Sequence, residues 1–523
     1  MNFDPINGHL YTERGGACLI RDGRAYVFNG SRQLVDHRVS LYWRCRQRGC
    51  NASYNVLCNN AEQMEVVAES PGGHHNANCV QSDHLLINEK AKDYIRRGIE
   101  SRLDTGKRLY RHVIQRLRSP QYTTQAYRED VNFGLPSFPS LVEMRSLMQR
   151  AYQRAFPPLP HSFQHITQQL IAQYFGVLYD EERTRFFLSV HHLGPNVGCM
   201  VVFATDDFLT KLCLANKVYM DGTFKCAPTI VARHRRRAQL FTMHIMEGAL
   251  CIPVVYAMLP NKERDTYVTL FQLLRTYCQT RLGMDFAPER VVSDFESGLL
   301  PALLEVWPAL ILLCCFFHFC SAIYKKIGSI PALRQAYMAA NSRIKRFLRG
   351  LMALGFIPVN MVHVVYFEWV MAYHEQFPDD LVNDAMLEFI MYFEEQWLNN
   401  DNLPMDSWNV FDRDGSDRTN NAVEGWHYRL NQNLGQHKNI WKVIEGLQEE
   451  QQDYEVLAMQ HQHGHAVTRP NQYYRTMQRA IAARRDAFID SDFAAPLEYL
   501  MNVSKHLIAA KYNNNDMDFA EEV

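Results

Sequence analysis

Four short stretches of the chain carry residue types at spacings that suit chemistry. VYMDGTF (218–224) ends an apolar run on Asp221, and VVSDFE (291–296) ends another on Asp294. A buried carboxylate without a partner costs on the order of several kcal/mol or stays protonated. An acid closing a buried strand therefore calls for a cation or for a turn. In TNNAVEGWHYRLNQNL (419–434), Glu424 shares one helix face with Asn420 at i−4, His427 at i+3 and Asn431 at i+7. CFFH sets Cys315 and His318 three residues apart where a strand passes into a helix, suited to orienting a metal ligand or touching DNA. Carboxylates gathered at one sheet edge suit Mg²⁺ or Mn²⁺, hard cations that take oxygen ligands. Near the N-terminus, LYWRCRQRGCNASYNV (41–56) is followed by GGHHNANC (72–79), paired cysteines and then clustered histidines, which is zinc-ligand chemistry.

Each residue also has a plain structural reading. Asp-Gly is a turn signal. Asp294 before a helix is an N-cap. Glu424 is a solvated helix position, and Cys315 with His318 a core cysteine beside a satisfied histidine. What joins the acids is their order: strand-acid, hairpins, strand-acid, helical block, helix-acid.

The elements that must position them fall into three textures. Residues 10–80 alternate apolar and polar in short strand-like runs. Residues 83–155 are helical and basic, broken by Gly134, Pro136 and Pro139, and PPLP at 157–160 reads as a linker. From about 174 the pattern is α/β. Strands are expected at 217–224, 238–246, 250–259, 290–296 and 311–319, and a helix at 265–282. A helical block follows from about 321 to 400, then a polar break, then a helix starting near Asn420.

Composition bounds the reading. Of 523 residues, 47% are hydrophobic, which supports sizeable cores and more than one domain. A net charge of −1 argues against a uniformly basic nucleic-acid binder. The charge is uneven, with Arg96, Arg97, Arg102, Lys107, Arg108, Arg111, Arg116 and Arg118 set against few acids in 90–118. The longest apolar run, 308–317, is too short to span a bilayer. An odd number of cysteines, 13, without an export signal fits reduced thiols inside a cell, some of them on metal. The tail NNNDMDFAEEV reads as disordered.

The strings DGTFKCAP, IPVVYAMLPNKERDTY, VVSDFESGLLPAL, CCFFHF and TNNAVEGWHYRLN resemble, in that order, the transposase domain of Mutator-like elements (MULEs). The resemblance implies an RNase H-like DDE fold over about 174–440 with a helical insertion at about 320–415. It maps the catalytic acids onto Asp221, Asp294 and Glu424, with Mg²⁺ or Mn²⁺ as cofactor, and the family's C-x-x-H signature onto Cys315 and His318. His427 is an auxiliary candidate on the Glu424 face.

The 10–80 segment resembles a FLYWCH zinc finger, through GRAYVF, YWRC, C-x4-C and a histidine pair. That likeness implies Cys45, Cys50 and His75 as zinc ligands, with His74 or Cys79 as the fourth. Arg233, Arg235, Arg236 and Arg237, between two expected strands, suit DNA-backbone contact or a solvated loop. The 83–160 region suits a second DNA-contacting module or a plain scaffold, and 441–523 a helical C-terminal region. The expected whole is an α/β, nuclear, DNA-binding, homo-oligomeric transposase. It would cut transposon ends and join 3′-hydroxyls to target DNA. The rival expectations are a domesticated transposase acting as a transcriptional regulator and an RNase H-like nuclease that does not join.

Overall fold

The computed structural model describes residues 9–11, 17–21, 24–59, 66–79, 85–101, 106–121, 123–131, 134–175, 184–194, 197–228, 230, 238–339, 342–376, 384–415, 418–435, 439–465 and 472–507. Arg233, Arg235, Arg236 and Arg237, Arg102 and the acidic tail lie outside them. The chain divides into two compact units, 1–158 and 159–523. No helix among the described residues is long and apolar enough to cross a membrane.

The first unit opens with a six-stranded sheet in sequential order: β1 (His9–Tyr11), β2 (Ala17–Arg21), β3 (Arg24–Gln33), β4 (Val39–Cys45), β5 (Ser53–Cys58) and β6 (Val66–Gly72). Every pairing is antiparallel. β4 shows the period of two that makes such a sheet one-sided, burying Val39, Leu41, Trp43 and Cys45 between partly or fully exposed residues. The core of this sheet is small and rich in sulfur: Trp43, Tyr54 and Val56 pack with Cys45, Cys50, Cys58 and Cys79. The helices Leu85–Glu100, Gly106–Arg118 and Arg145–Ala155 share a second core through Ile95, Ile99, Val113, Leu117 and Met148. Helix Gly106–Arg118 buries Leu109, Val113 and Leu117 at successive turns and exposes Lys107, Arg111 and Arg118.

The second unit is built on a seven-stranded sheet: β7 (Phe187–Gly194), β8 (Gly198–Phe203), β9 (Lys217–Thr223), β10 (Gln239–Glu247), β11 (Leu250–Leu259), β12 (Arg290–Ser293) and β13 (Ile311–Cys314). Their order is β13-β12-β9-β10-β11-β8-β7. β9, β12 and β13 run parallel, and the remaining pairs are antiparallel. Both faces of the central strands are covered, so β11 reads as a nearly continuous buried run rather than an alternating one. Pro253 sits inside β11 at a register shift between Met243 and His244, where an irregular ladder tolerates its missing N–H.

Three details depart from the sequence reading. The run 290–296 is strand only to Ser293, so Asp294 falls just beyond the strand. The run 311–319 is strand only to Cys314, and the helix Phe316–Ser329 begins two residues later. β7 and β8, which extend the sheet beyond β11, come from 187–203, a stretch with no strand singled out in the sequence reading. The helical block is a separate core of Phe319, Phe347, Phe389, Trp397 and Trp408, among others. Phe319 stacks on Trp408 with ring centroids 4.7 Å apart.

Candidate active site

β9 and β12 pair in parallel with Arg290 opposite Lys217, Val291 opposite Val218 and Val292 opposite Tyr219. Carried two residues further, that register sets Asp294 alongside Asp221, at neighbouring strand ends. Asp294 lies just past β12, partly exposed. Burial first, and then the negative charges of Asp221 and Glu296, push its carboxyl up to about 7 against the lowering pull of His318 and Lys262. A carboxyl in that position is short of positive charge.

Gly222 explains why a glycine follows the first acid. Its N–H donates to Asp221 Oδ1 at 2.8 Å. A Cβ at this position would lie 2.0 Å from Gln239 Oε1. The Gln239 side chain therefore needs the bare backbone, and its Nε2 donates to the Tyr267 hydroxyl, which donates in turn to Glu296. Glu296 is an acid the motif reading passed over, two residues beyond Asp294. Burial raises its pKa, and Lys262, 3.2 Å away, works against the rise. The sequence signal was present in DFES, but an acid on an irregular turn has no periodicity to mark its direction.

The third acid arrives on the helix Asn421–Leu434, which packs on β9. Its polar stripe lies along the strand. Asn420 Nδ2 donates to the Met220 carbonyl at 3.4 Å, His427 Nδ1 lies 3.2 Å from Asp221 Oδ2, and Asn431 Nδ2 donates to Thr223 Oγ1 at 2.9 Å. Glu424 belongs to the same stripe and lies 3.8 Å from His318 Nε2. The start of this helix is also tied to the C-x-x-H segment. Asn420 N–H donates to Cys315 Sγ at 3.2 Å, and Phe316 N–H to the Arg418 carbonyl at 2.8 Å. Cys315, His318 and Glu424 offer ligand atoms within 4.8 Å of one another. Burial lowers the pKa of His318, but its hydrogen bond to Cys315 and the charges near it, Asp294 and Glu424 among them, outweigh burial and raise it to about 9. These neighbours favour the protonated ring, which would offset part of the acidic charge.

These donors fit a divalent cation. The charges of Asp221 and Glu296 reach Asp294, and a hard cation with oxygen ligands there would relieve their repulsion, whereas among the described residues Glu424 groups within 4.8 Å with Cys315 and His318 and not with Asp221 or Asp294.

The second candidate centre lies in the first unit. Cys45, Cys50, His75 and Cys79 bring four ligand atoms within 4.8 Å of one another. Cys45 Sγ lies 3.5 Å from Cys79 Sγ, and His75 Nδ1 lies 3.4 Å from Cys50 Sγ and 3.1 Å from Cys79 Sγ. His75 Nε2 meets the Tyr26 hydroxyl at 2.8 Å, which fixes the ring with Nδ1 facing the thiols. Of the two residues weighed for the fourth position, Cys79 is in the group and His74 is exposed and outside it. Three sulfurs and one imidazole nitrogen suit zinc.

No curated protein matches the chain. Residues 218–322 match the family model of the MULE transposase domain, a segment that takes in Asp221, Asp294, Cys315 and His318 but not Glu424, and this match supports a transposase-type function.

Proposed function

We propose that the chain is a DDE-type DNA transposase whose RNase H-like core carries Asp221, Asp294 and Glu424 as its catalytic acids. The observation that supports this reading is the parallel pairing of β9, which carries Asp221, with β12, just past which lies Asp294, near enough for the Asp221 charge to raise it, both inside the matched segment. The order β13-β12-β9-β10-β11, with the first acid on the central strand, agrees with an RNase H-like core. Asp221 would hold both of two Mg²⁺ or Mn²⁺ ions, and Asp294 and Glu424 one each. When bound, such ions activate a water or a 3′-hydroxyl and stabilise the leaving oxygen of an in-line phosphoryl transfer. Gly222 N–H holds one oxygen of Asp221, and the helix Asn421–Leu434, which carries Glu424, packs on the same strand. His318 and Lys262 temper the negative charge of the acids around Asp294.

The first unit would be the DNA-end reader: a FLYWCH-type zinc finger on Cys45, Cys50, His75 and Cys79, beside the basic face Lys107, Arg111 and Arg118. Backbone contacts would fix position and base contacts would specify. Arg233, Arg235, Arg236 and Arg237 would add phosphate contacts. The protein would act in the nucleus as a homo-oligomer on transposon ends and target DNA. The test is Mg²⁺-dependent cleavage of a terminal-repeat duplex by Asp221→Asn, Asp294→Asn and Glu424→Gln. Each variant should lose cleavage and keep DNA binding. Wild-type cleavage in any one of them removes that residue from the catalytic set.

A further inference from the structure

Behind Asp221 lies a row of buried polar groups that neither packing nor the three-acid chemistry accounts for. Thr242 stands directly opposite Asp221 across the β9–β10 ladder. Its Oγ1 lies 2.9 Å from His427 Nε2 and 2.9 Å from His244 Nε2. On its other side, His244 Nδ1 meets Cys251 Sγ at 3.7 Å. Thr242, His244 and His427 are all buried. His244 sits at the β10–β11 register shift, opposite Pro253. Trp426 closes over it, ring centroids 5.0 Å apart, and is itself held by Glu450 through its indole N–H at 3.1 Å.

With both histidine rings neutral, the donors and acceptors in this row run in one direction. Asp221 Oδ2 can only accept when ionised, so His427 Nδ1 carries the proton. His427 Nε2 is then the acceptor, and the Thr242 hydroxyl donates to it. The alternative acceptor for that hydroxyl, the Asp221 carbonyl, is more distant, at 3.4 Å. With its proton committed, Thr242 Oγ1 accepts from His244 Nε2–H. Burial holds His244 well below the ordinary histidine pKa, so the ring is neutral, and with Nε2–H given to Thr242 its Nδ1 is left to accept a hydrogen bond from the Cys251 thiol.

We infer that Thr242 and His244 are positioning residues that lock the His427 tautomer, and that His427 thereby aims Asp221 Oδ2 at the metal-binding face. This rests on the reading of Asp221 as a metal ligand. It also assigns His427 a role apart from proton transfer, because both of its ring nitrogens are occupied.

Manganese affinity of the zinc-loaded full-length protein, measured by EPR titration without DNA, tests the inference independently of turnover. An asparagine amide can replace Nδ1 and a glutamine amide Nε2. His427→Asn should therefore keep close to wild-type affinity, while His427→Gln should lose about 10–100-fold, the usual effect of removing a partner behind a metal ligand. Thr242→Val should weaken binding in the same direction and Thr242→Ser should restore it. This second pair carries the test if His427→Gln fails to fold. Asp221→Asn separates the two levels. If it abolishes manganese binding while His427→Gln and Thr242→Val bind normally, Asp221 is a ligand and the positioning inference is wrong. If Asp221→Asn itself binds normally, the ligand reading falls and the inference falls with it.

Discussion

The two candidate metal centres solve opposite problems. In the first unit, four ligand atoms already lie within 4.8 Å of one another on a thin sheet whose core is partly made of the ligand cysteines themselves. In the second unit, carboxyls are held at the ends of strands buried on both faces, by a sheet that has ample apolar core of its own. With zinc bound, the first centre would be part of what folds its sheet, because so small a β-structure has little else to bury. The second is a strain that its scaffold tolerates. Asp294, short of positive charge, costs stability when metal is absent. Removing a ligand should therefore have opposite effects on stability in the two units.

The largest expected effect is on the cysteine centre. Cys50→Ser or Cys79→Ser, or zinc chelation, should unfold the β1–β6 sheet, since metal binding of this kind contributes on the order of 10 kcal/mol to folding. Loss of strand signal by amide hydrogen exchange over 24–79, with release of zinc, checks it. A chelated protein that keeps full protection there breaks the comparison.

Asp294→Asn should act in the other direction. It should abolish Mg²⁺-dependent cleavage and at the same time stabilise the metal-free second unit by about 1–3 kcal/mol at pH 8, discounted for the partial exposure of the group. Denaturant unfolding of both proteins in EDTA measures this. A variant less stable than wild type would mean that Asp294 is structurally satisfied.

The same group sets a smaller pH effect. Its folded pKa of about 7 lies above the ordinary aspartate value of 3.8. A raised folded pKa gives stability that is complete below the lower value and is lost as pH rises through about 7. Metal-free wild type should therefore lose more melting temperature between pH 6 and pH 8 than Asp294→Asn does, by roughly a degree or two. Saturating Mg²⁺ should narrow that difference. Equal pH slopes for the two proteins in EDTA would contradict the assignment.

The smallest effect sharpens the cysteine centre. His74→Ala should leave zinc content and melting unchanged, because His74 is exposed and outside the ligand group. One zinc lost in that variant would replace Cys79 by His74.

The legible parts were those with a strong period or a rigid neighbour. β9, β10 and β11 fall within one residue of the spans expected from apolar runs. The helix face Asn420, Glu424, His427 and Asn431, read from spacing alone, is the one whose Asn420, His427 and Asn431 touch β9. The glycine after Asp221 read only as a turn signal. Its reason is the Gln239 side chain, which no local pattern announces. The choice between His74 and Cys79 turned on how β6 and the following turn fold back to Cys45, a tertiary matter. Glu296 and Thr242 stayed hidden for related reasons. One lies on an irregular turn, and the other is a small polar residue in the middle of the buried strand LFTMHIM, where it reads as filler until its partner from 185 residues away is in place.

The most direct test of the central claim is anomalous scattering from a crystal of the full-length protein soaked in Mn²⁺ with zinc retained in the cysteine centre. The account predicts two manganese peaks about 4 Å apart, both touching Asp221, one touching Asp294 and the other Glu424. No manganese at Asp221 and Asp294, or a single peak confined to Cys315, His318 and Glu424, would contradict it.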